Sequence, residues 1–272
     1  MRLILSALLA ATTLAAPALA ETLVIQAGRV ITDAAQPASG PSTITVTDGK
    51  IVSITSGYVD APTGARLINL RDKTVLPGLI DLHVHLQSNP GGDYRDEAVL
   101  SDDYATLMGA RNALVTVKAG FTTVRDLGST PRGGFALRDA TAQGLITGPR
   151  IISSGPAISI IGGHGDVNGF RPEVADALHA HNTCTGAMEC AARVREFSKA
   201  GADVIKITAT GGVLSQQGRG LGQHFTELLS LSRTACYKSI QITNLLITFL
   251  LWHKSHFLQK KQKNNRDIFL QD

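Results

Sequence analysis

Two histidines separated by one residue lie in an apolar stretch, and this pair constrains the fold more than any other feature of the chain. The stretch covers residues 77–86 and reads PGLIDLHVHL. Its apolar run is typical of a buried β-strand, in which side chains two positions apart point to the same face. His83 and His85 therefore project together, while Leu82, Val84 and Leu86 face the other way.

Two neutral imidazoles directed at one point suit zinc or a similar divalent cation. Buried side by side without a cation or hydrogen-bond partners, the rings would cost free energy. A pair of structural histidines is the alternative, and it is the commoner explanation of an isolated His-x-His. The preceding Pro-Gly-Leu-Ile-Asp favours the first interpretation, so we expect His83 and His85 to be metal ligands.

Further motifs follow this one in a recognisable order. The set is PGLIDLHVHL at 77–86, GFTTVRDLG at 120–128, GPRIISSG at 148–155, GGHGD at 162–166 and AGADVIKITATGG at 200–212. Together they resemble the amidohydrolase superfamily, within its imidazolonepropionase-like and Xaa-Pro dipeptidase (prolidase)-like branch, over roughly residues 23–227. The resemblance implies a (β/α)8 barrel beside a small β-sandwich. It also implies a metal-dependent hydrolase that uses a metal-activated water to cleave C–N bonds of a dipeptide or other small-molecule substrate.

The length of the chain limits how much of that fold it can hold. A whole barrel needs about 250 residues by itself, whereas the chain has 272 in total. We therefore predict an α/β fold with a partial TIM (β/α)8 barrel, about its first four strands, in residues 75–227. An N-terminal β-sandwich segment precedes it in residues 21–74.

Local patterns place the elements of both segments. In the first segment, Asp48-Gly49 is a strong hairpin signal between short strands rich in Val, Ile and Thr. After His85 the pattern alternates between strands and helices, which indicates a parallel sheet. The predicted strands are 23–25, 29–31, 44–47, 51–54, 122–127, 150–154 and 203–210, and the predicted helices are 103–119, 134–144 and 186–200.

Lys206 lies in the predicted fourth barrel strand between Ile205 and Ile207, so its side chain should point to the barrel interior. A buried ammonium group is costly unless it is paired, and burial lowers the pKa of the amine. The resemblance implies that the matching lysine adds CO2 to form a carbamate, which bridges two divalent cations, zinc being the expected metal. We assign that role to Lys206, as carboxylated lysine. An ion pair with an interior carboxylate is the alternative.

The other catalytic groups of the family have no counterpart in this sequence. The resemblance implies one histidine after each of the fifth and sixth strands and an aspartate after the eighth, and none of these strands is recognisable here. His164 in the GGHGD loop is a candidate substrate contact, and a loop histidine with no role is the alternative. Arg125 and Asp126 end the second strand, where an internal ion pair is favoured over the orientation of a ligand.

The composition changes abruptly after Glu227. All 27 glycines precede that point, and residues 228–272 contain seven Lys or Arg against two Asp or Glu. The rest of the chain carries 19 basic and 20 acidic residues, so the net charge of +4 belongs to the tail and does not indicate nucleic-acid binding. The tail resembles out-of-frame translation or a replaced gene end, and we predict that it is unrelated to the barrel.

The tail offers no convincing membrane or metal site. Its apolar run over residues 240–252 is short for a bilayer span, and a membrane-associating tail is the alternative. His253, His256 and Asp267 lie outside any strand–helix frame that would direct them at His83 and His85. We therefore do not expect them to be ligands.

Residues 1–20 have the pattern of a signal peptide, with Arg2, an apolar run and Ala18-Leu19-Ala20 before Glu21. This predicts a periplasmic or secreted protein. A membrane anchor is the alternative, although the apolar run is shorter than the roughly 20 residues of a spanning helix.

An oxidising compartment permits a disulfide between Cys184 and Cys190. Zinc binding by that pair is less favoured, because no second Cys/His pair follows at a suitable distance.

Two functions follow from these observations. The first is an exported Xaa-Pro dipeptidase-like amidohydrolase that acts through His83, His85 and Lys206. The second is a catalytically inactive, truncated remnant of such an enzyme, and we expect residues 1–272 alone to lack useful turnover. Unpaired edges on the first and fourth barrel strands predict aggregation or association with another chain, so an oligomer is compatible with the sequence.

Overall fold

The computed structural model describes residues 21–91, 94–178, 181–212 and 222–225. The chain divides into two compact units between Pro77 and Gly78. The predicted signal peptide and the predicted tail over residues 228–272 lie outside the described residues. Within the described ranges, no helix is long and apolar enough to cross a membrane.

The described residues of the first unit form a four-stranded sheet. Its strands are β1 Thr22–Val30, β2 Ser42–Thr47, β3 Lys50–Ser56 and β4 Arg66–Val75. They lie in the order β3-β2-β1-β4, with β1 antiparallel to β2 and parallel to β4. A β-sandwich consists of two packed sheets, so the predicted sandwich stays a prediction.

The hairpin between β2 and β3 agrees with the sequence-based prediction, whereas the prediction for β1 does not. Asp48 and Gly49 both have positive φ, 49° and 72°, as a two-residue hairpin between β2 and β3 requires. The separate strands predicted at 23–25 and 29–31 were wrong, because β1 runs through both with a register shift at Gly28. A Cβ at Gly28 would overlap the Arg71 carbonyl, so the glycine permits the close approach of β4, a strand that the sequence pattern did not reveal.

The second unit alternates strands and helices. Three parallel strands lie in the order β5-β6-β7. The elements are β5 Leu79–Val84, a 3-10 helix Tyr94–Ala98, α1 Asp102–Lys118, β6 Phe121–Asp126, α2 Gly133–Ala142, β7 Arg150–Ser153, α3 Pro172–Leu178 and α4 Gly186–Ala200. The mixed α/β class is therefore confirmed.

Helices α1 and α2 cover one face of this sheet. A cluster of buried apolar side chains fills the space between them, and its members are Leu86, Ala113, Val124, Leu137 and Ile151. Ala113 on α1 and Val124 on β6 are completely buried. Since alternate strand residues face opposite ways, the other face of the sheet carries His83 of β5 and Arg125 of β6.

The strand predicted at residues 203–210 was wrong as a continuous element. Only an isolated bridge joins Ile207 to Ile158, with hydrogen bonds of 2.9 Å from the Ile158 N–H to the Lys206 carbonyl and from the Thr208 N–H to the Ile158 carbonyl. The reason lies in the neighbouring strand. β7 ends at Ser153, and Gly155, with φ of 65°, and Pro156 interrupt the strand before Ile158.

The predicted disulfide between Cys184 and Cys190 is confirmed. Their Cα atoms lie 5.0 Å apart, and the bond joins the loop before α4 to the first turns of that helix. Cys184 is buried in a second apolar cluster with Ile158, Phe197 and Phe225. Ile205 and Ile207 pack against this cluster.

Candidate metal centre

The two histidines of the His-x-His motif lie side by side at the end of β5. Their ring centroids are 5.3 Å apart and the ring planes are inclined by 61°. His83 belongs to β5 and its N–H donates to the carboxylate of Asp81 over 3.0 Å, while His85 follows the end of the strand. The two rings can therefore direct nitrogen atoms toward a common region.

The strand is less buried than its sequence predicts. His83 and His85 are exposed. Ile80, on the opposite face of the strand, is 60% exposed. The physical reason is that β5 is an edge of its sheet in the described part of the chain, so only β6 covers it laterally.

Gly128 orients the His85 ring, both through its carbonyl group and through its lack of a side chain. Its Nδ1 lies 3.2 Å from the Gly128 carbonyl oxygen. Because that oxygen can only accept, Nδ1 carries the proton and Nε2 keeps the lone pair that a metal needs. A Cβ at Gly128 would come within 2.7 Å of Nδ1 and 2.8 Å of Cε1, so only glycine leaves the ring its place.

Both imidazoles are neutral at physiological pH. The pKa of His83 is lowered to about 4, chiefly by burial and then by the positive charges of Lys206, His85 and Arg125. The pKa of His85 is also lowered, chiefly by burial and then by Lys206, although its contact with the Gly128 carbonyl opposes the shift. The rings retain accessible surface, but the surrounding protein removes enough water to disfavour the cation. Neutral imidazole is the form that binds metals.

Lys206 belongs to the same group of side chains. Its charge acts on His83, His85 and His164. Lys206 is half-buried, and the pKa of its amine is lowered by burial and by the charge of Arg125. Ile205 and Ile207 pack on the α4 side, as the predicted alternation requires even without a continuous strand.

The side chains of Arg125 and Asp126 lie on opposite sides of β6 and do not form an ion pair with each other. Arg125 Nε donates to the Leu82 carbonyl over 2.8 Å, on the side that carries His83 and Lys206. Asp126 is completely buried, and neither of its carboxyl oxygens has a hydrogen-bond partner among the described residues. The predicted preference for an internal ion pair was wrong, since neighbouring residues of a strand face opposite sides.

The GGHGD loop brings His164 to the group. The carboxylate of Asp166 accepts from the Gly162 N–H over 2.6 Å and holds the loop closed. Burial, Lys206, His224 and His85, in that order, lower the pKa of His164. Gly212 packs against the His164 ring so closely that a Cβ there would overlap it.

His224 is the one member of the group that the sequence did not indicate. Its N–H donates to the Ala209 carbonyl over 2.9 Å, so the chain returns beside the segment that carries Lys206. Its buried Nδ1 has no hydrogen-bond partner among the described residues. No motif marks this histidine, because its position depends on a return of the chain that local patterns do not encode.

The described side chains fit part of a divalent-cation site. The two neutral imidazoles provide nitrogen donors that zinc accepts, and Lys206, whose amine has a lowered pKa, lies in the same group. In the ranges that the structure covers, no cluster of three or more His, Cys, Asp or Glu side chains is arranged to hold a metal.

Comparison with known proteins decides the family. The model of the amidohydrolase family matches residues 74–237, which include the His-x-His motif, Lys206 and His224. This chain belongs to the amidohydrolase family. The finding confirms the resemblance that the motifs indicate.

Several known proteins resemble this amidohydrolase in sequence or structure. Ochratoxinase from Aspergillus niger is 29% identical over 221 residues, which are 72% of this chain and 44% of that protein. A dihydroorotase from Anaeromyxobacter sp. (strain K) is 36% identical over 106 residues, 39% of this chain and 21% of that protein. The crystal structure of a Xaa-Pro dipeptidase with bound methionine matches with a TM-score of 0.68 and 32% identity, over 79% of this chain and 54% of that chain.

A prolidase complexed with N-methylphosphonate-L-proline matches with a TM-score of 0.65 and 30% identity, over 78% of this chain and 52% of that chain. This amidohydrolase thus spans about half the length of those structures, and less of the curated relatives.

Proposed function

We propose that this amidohydrolase is a metal-dependent hydrolase of C–N bonds, with a Xaa-Pro dipeptide, an acylated amino acid or a cyclic amide as substrate. One observation carries the proposal: two neutral imidazoles side by side at the end of β5 lie within the electrostatic reach of a half-buried lysine. Membership of the family and likeness to a Xaa-Pro dipeptidase support it.

The metal ligands in this proposal are His83, His85 and Lys206, the last as a carbamate formed with CO2. A bound divalent cation, zinc in our assignment, would polarise the scissile carbonyl and activate the water that attacks it. The chain's own contribution is to keep both imidazoles neutral and to fix the tautomer of His85 through Gly128.

His164 and His224 are the groups that we assign to the substrate. They lie close enough to each other for charge to act between them, and His164 is also within reach of Lys206 and His85. Each ring can donate or accept a hydrogen bond. The two histidines could therefore form hydrogen bonds with a polar part of the substrate beside the scissile bond.

The larger architecture is part of the same proposal. We place the β5-α1-β6-α2-β7 succession in the first half of a (β/α)8 barrel, and the sheet of residues 22–75 in a β-sandwich. Export through a signal peptide over residues 1–20 and a tail unrelated to the barrel over residues 228–272 remain sequence-based predictions.

The test is hydrolysis by the purified mature chain with added zinc and bicarbonate. A panel of Xaa-Pro dipeptides and N-acyl amino acids is assayed for release of the amine, with the His83→Ala variant alongside. Turnover that requires zinc and is lost in His83→Ala supports the proposal. Turnover that survives both chelation and this substitution would overturn it.

The same assay distinguishes the second candidate, an inactive remnant. In that case zinc binds and depends on His83, but no substrate of the panel is cleaved. This candidate is the expectation from the sequence, in which the histidines after the fifth and sixth strands and the aspartate after the eighth are not recognisable.

A further inference from the structure

The segment that carries Lys206 is joined to the sheet by few backbone hydrogen bonds. Lys206 and Thr208 bond to Ile158, and Asp203 bonds to Ser153, but residues 154–157 interrupt the neighbouring strand between these contacts. A continuous ladder would fix the register of Lys206 by itself. Here another interaction has to contribute.

The side chain of Asp203 supplies that interaction. The Asp203 N–H donates to the Ser153 carbonyl over 2.9 Å, and its carboxylate oxygen Oδ2 accepts from the Ser153 N–H, also over 2.9 Å. One residue thus satisfies both backbone groups of the last residue of β7. The carboxylate takes the place of the carbonyl that a regular strand would present.

Arg138 on α2 holds this carboxylate from the other side. Its Nη1 donates to Asp203 Oδ2 over 3.1 Å and to the Gly201 carbonyl over 2.6 Å. Gly201 ends α4 with φ of 105°, so the guanidinium joins α2 to the point where the chain leaves α4. Hydrogen bonds from a charged guanidinium are stronger than those between neutral groups.

We propose that Arg138 and Asp203 form a clamp that sets the position of Lys206 relative to His83 and His85. Both clamp residues lie outside the candidate metal centre, so they are positioning residues. The clamp begins the segment three residues before Lys206, and the bonds to Ile158 hold it at Lys206 and Thr208. The effect on metal binding rests on the proposed function, whereas the ordering of the segment does not.

The experiment uses the full chain and three clamp variants, Arg138→Ala, Asp203→Asn and the double variant. Glu196→Gln is the matched control, because it removes a 2.7 Å ion pair with Arg193 on the exposed side of α4. Two quantities are measured on variants that keep the wild-type circular dichroism spectrum. They are the affinity for Co²⁺ and the hydrogen–deuterium exchange of the peptide that covers residues 203–210.

Each single clamp variant should bind Co²⁺ about 10- to 100-fold more weakly, the usual range for removal of a group that orients a metal ligand. The double variant should be no weaker than the worse single variant, because both substitutions break one interaction. Arg138→Lys should recover part of the affinity. Exchange should be faster over residues 203–210 and unchanged over α1, and Glu196→Gln should match the wild type in both measurements.

Unchanged Co²⁺ affinity in folded clamp variants would overturn the positioning role, even if exchange were faster. Unchanged exchange would show that the clamp does not hold the segment. If the wild-type chain binds no Co²⁺, the proposed function fails instead, and exchange alone decides whether Arg138 and Asp203 order the segment.

Discussion

Gly128 is as closely tied to the candidate metal centre as the histidines themselves. Its carbonyl fixes the proton of His85 on Nδ1, and its missing side chain leaves room for the ring. No positive φ is needed at this position, so the constraint is steric. The local sequence does not reveal this role of Gly128, because it depends on the His85 ring that the fold places against the glycine.

Replacing Gly128 with alanine should weaken metal binding by about 10- to 100-fold, because the new Cβ displaces the His85 ring. Gly40→Ala is the matched control, since nothing lies within 4 Å of a Cβ there and its φ is not positive. Isothermal titration with Zn²⁺ measures both variants. Equal affinity in Gly128→Ala and Gly40→Ala would contradict the steric account.

Asp126 is a second residue whose environment sets its behaviour. Burial raises the pKa of its carboxyl to about 7, while the nearby N–H groups of Gly128 and Leu86 oppose the shift. These N–H groups are not in hydrogen-bonding geometry with the carboxyl. Between its ordinary value of 3.8 and about 7, the native state therefore binds this proton more tightly than the unfolded state does.

The contribution of Asp126 to stability should be complete below about pH 4 and should disappear as the pH rises through 7. In Asp126→Asn this dependence is absent. Urea unfolding with a chelator present, from about pH 4.5 to 8, should show the variant gaining stability relative to the wild type as the pH rises. A difference that does not change with pH would be inconsistent with a raised pKa.

At the scale of elements, the disulfide fixes the start of α4. Cys184 and Cys190 close a short loop, and Cys184 is buried against Phe197 of the same helix. Replacing both cysteines with alanine should lower the free energy of unfolding by about 2 kcal/mol, the entropy of closing such a loop. Urea unfolding under oxidising conditions measures the loss. Since reduction removes the bond from the wild type as well, the difference should shrink in reductant, and equal midpoints before reduction would contradict the prediction.

The elements that the sequence predicted well are those with a strong local signal. Asp48-Gly49 defines the β2–β3 hairpin, and the helix predicted at 186–200 has the bounds of α4. The helix predicted at 103–119 matches α1 within one residue. Periodicity and turn residues are sufficient in these cases, because each element is specified by its own residues.

The elements that the sequence misplaced depend on distant partners. β4 contains four charged residues and is a strand because it pairs with β1 across an insertion of two strands. The segment around Lys206 loses its ladder because β7 is interrupted at Gly155, fifty residues earlier in the chain. His224 reaches the site through a return of the chain. None of these contacts leaves a periodic trace in the local sequence.

At the scale of the whole molecule, the candidate metal centre collects side chains from separate parts of the second unit. His83 and His85 come from β5 and its end, Arg125 from β6, His164 from a loop and Lys206 from the irregular segment after α4. All lie within the residues that match the amidohydrolase family. The charge of Lys206 acts on His83, His85 and His164, although these residues come from motifs far apart in sequence.

Titration of the purified chain with Co²⁺, followed by visible absorption in the presence of bicarbonate, tests the central claim most directly. We predict binding that weakens at least tenfold in His83→Ala, His85→Ala and Lys206→Ala, because each removes one ligand. His256→Ala serves as the control and should bind like the wild type. Binding that is unchanged in His83→Ala and His85→Ala, or that is lost in His256→Ala, would contradict the assignment of this metal centre.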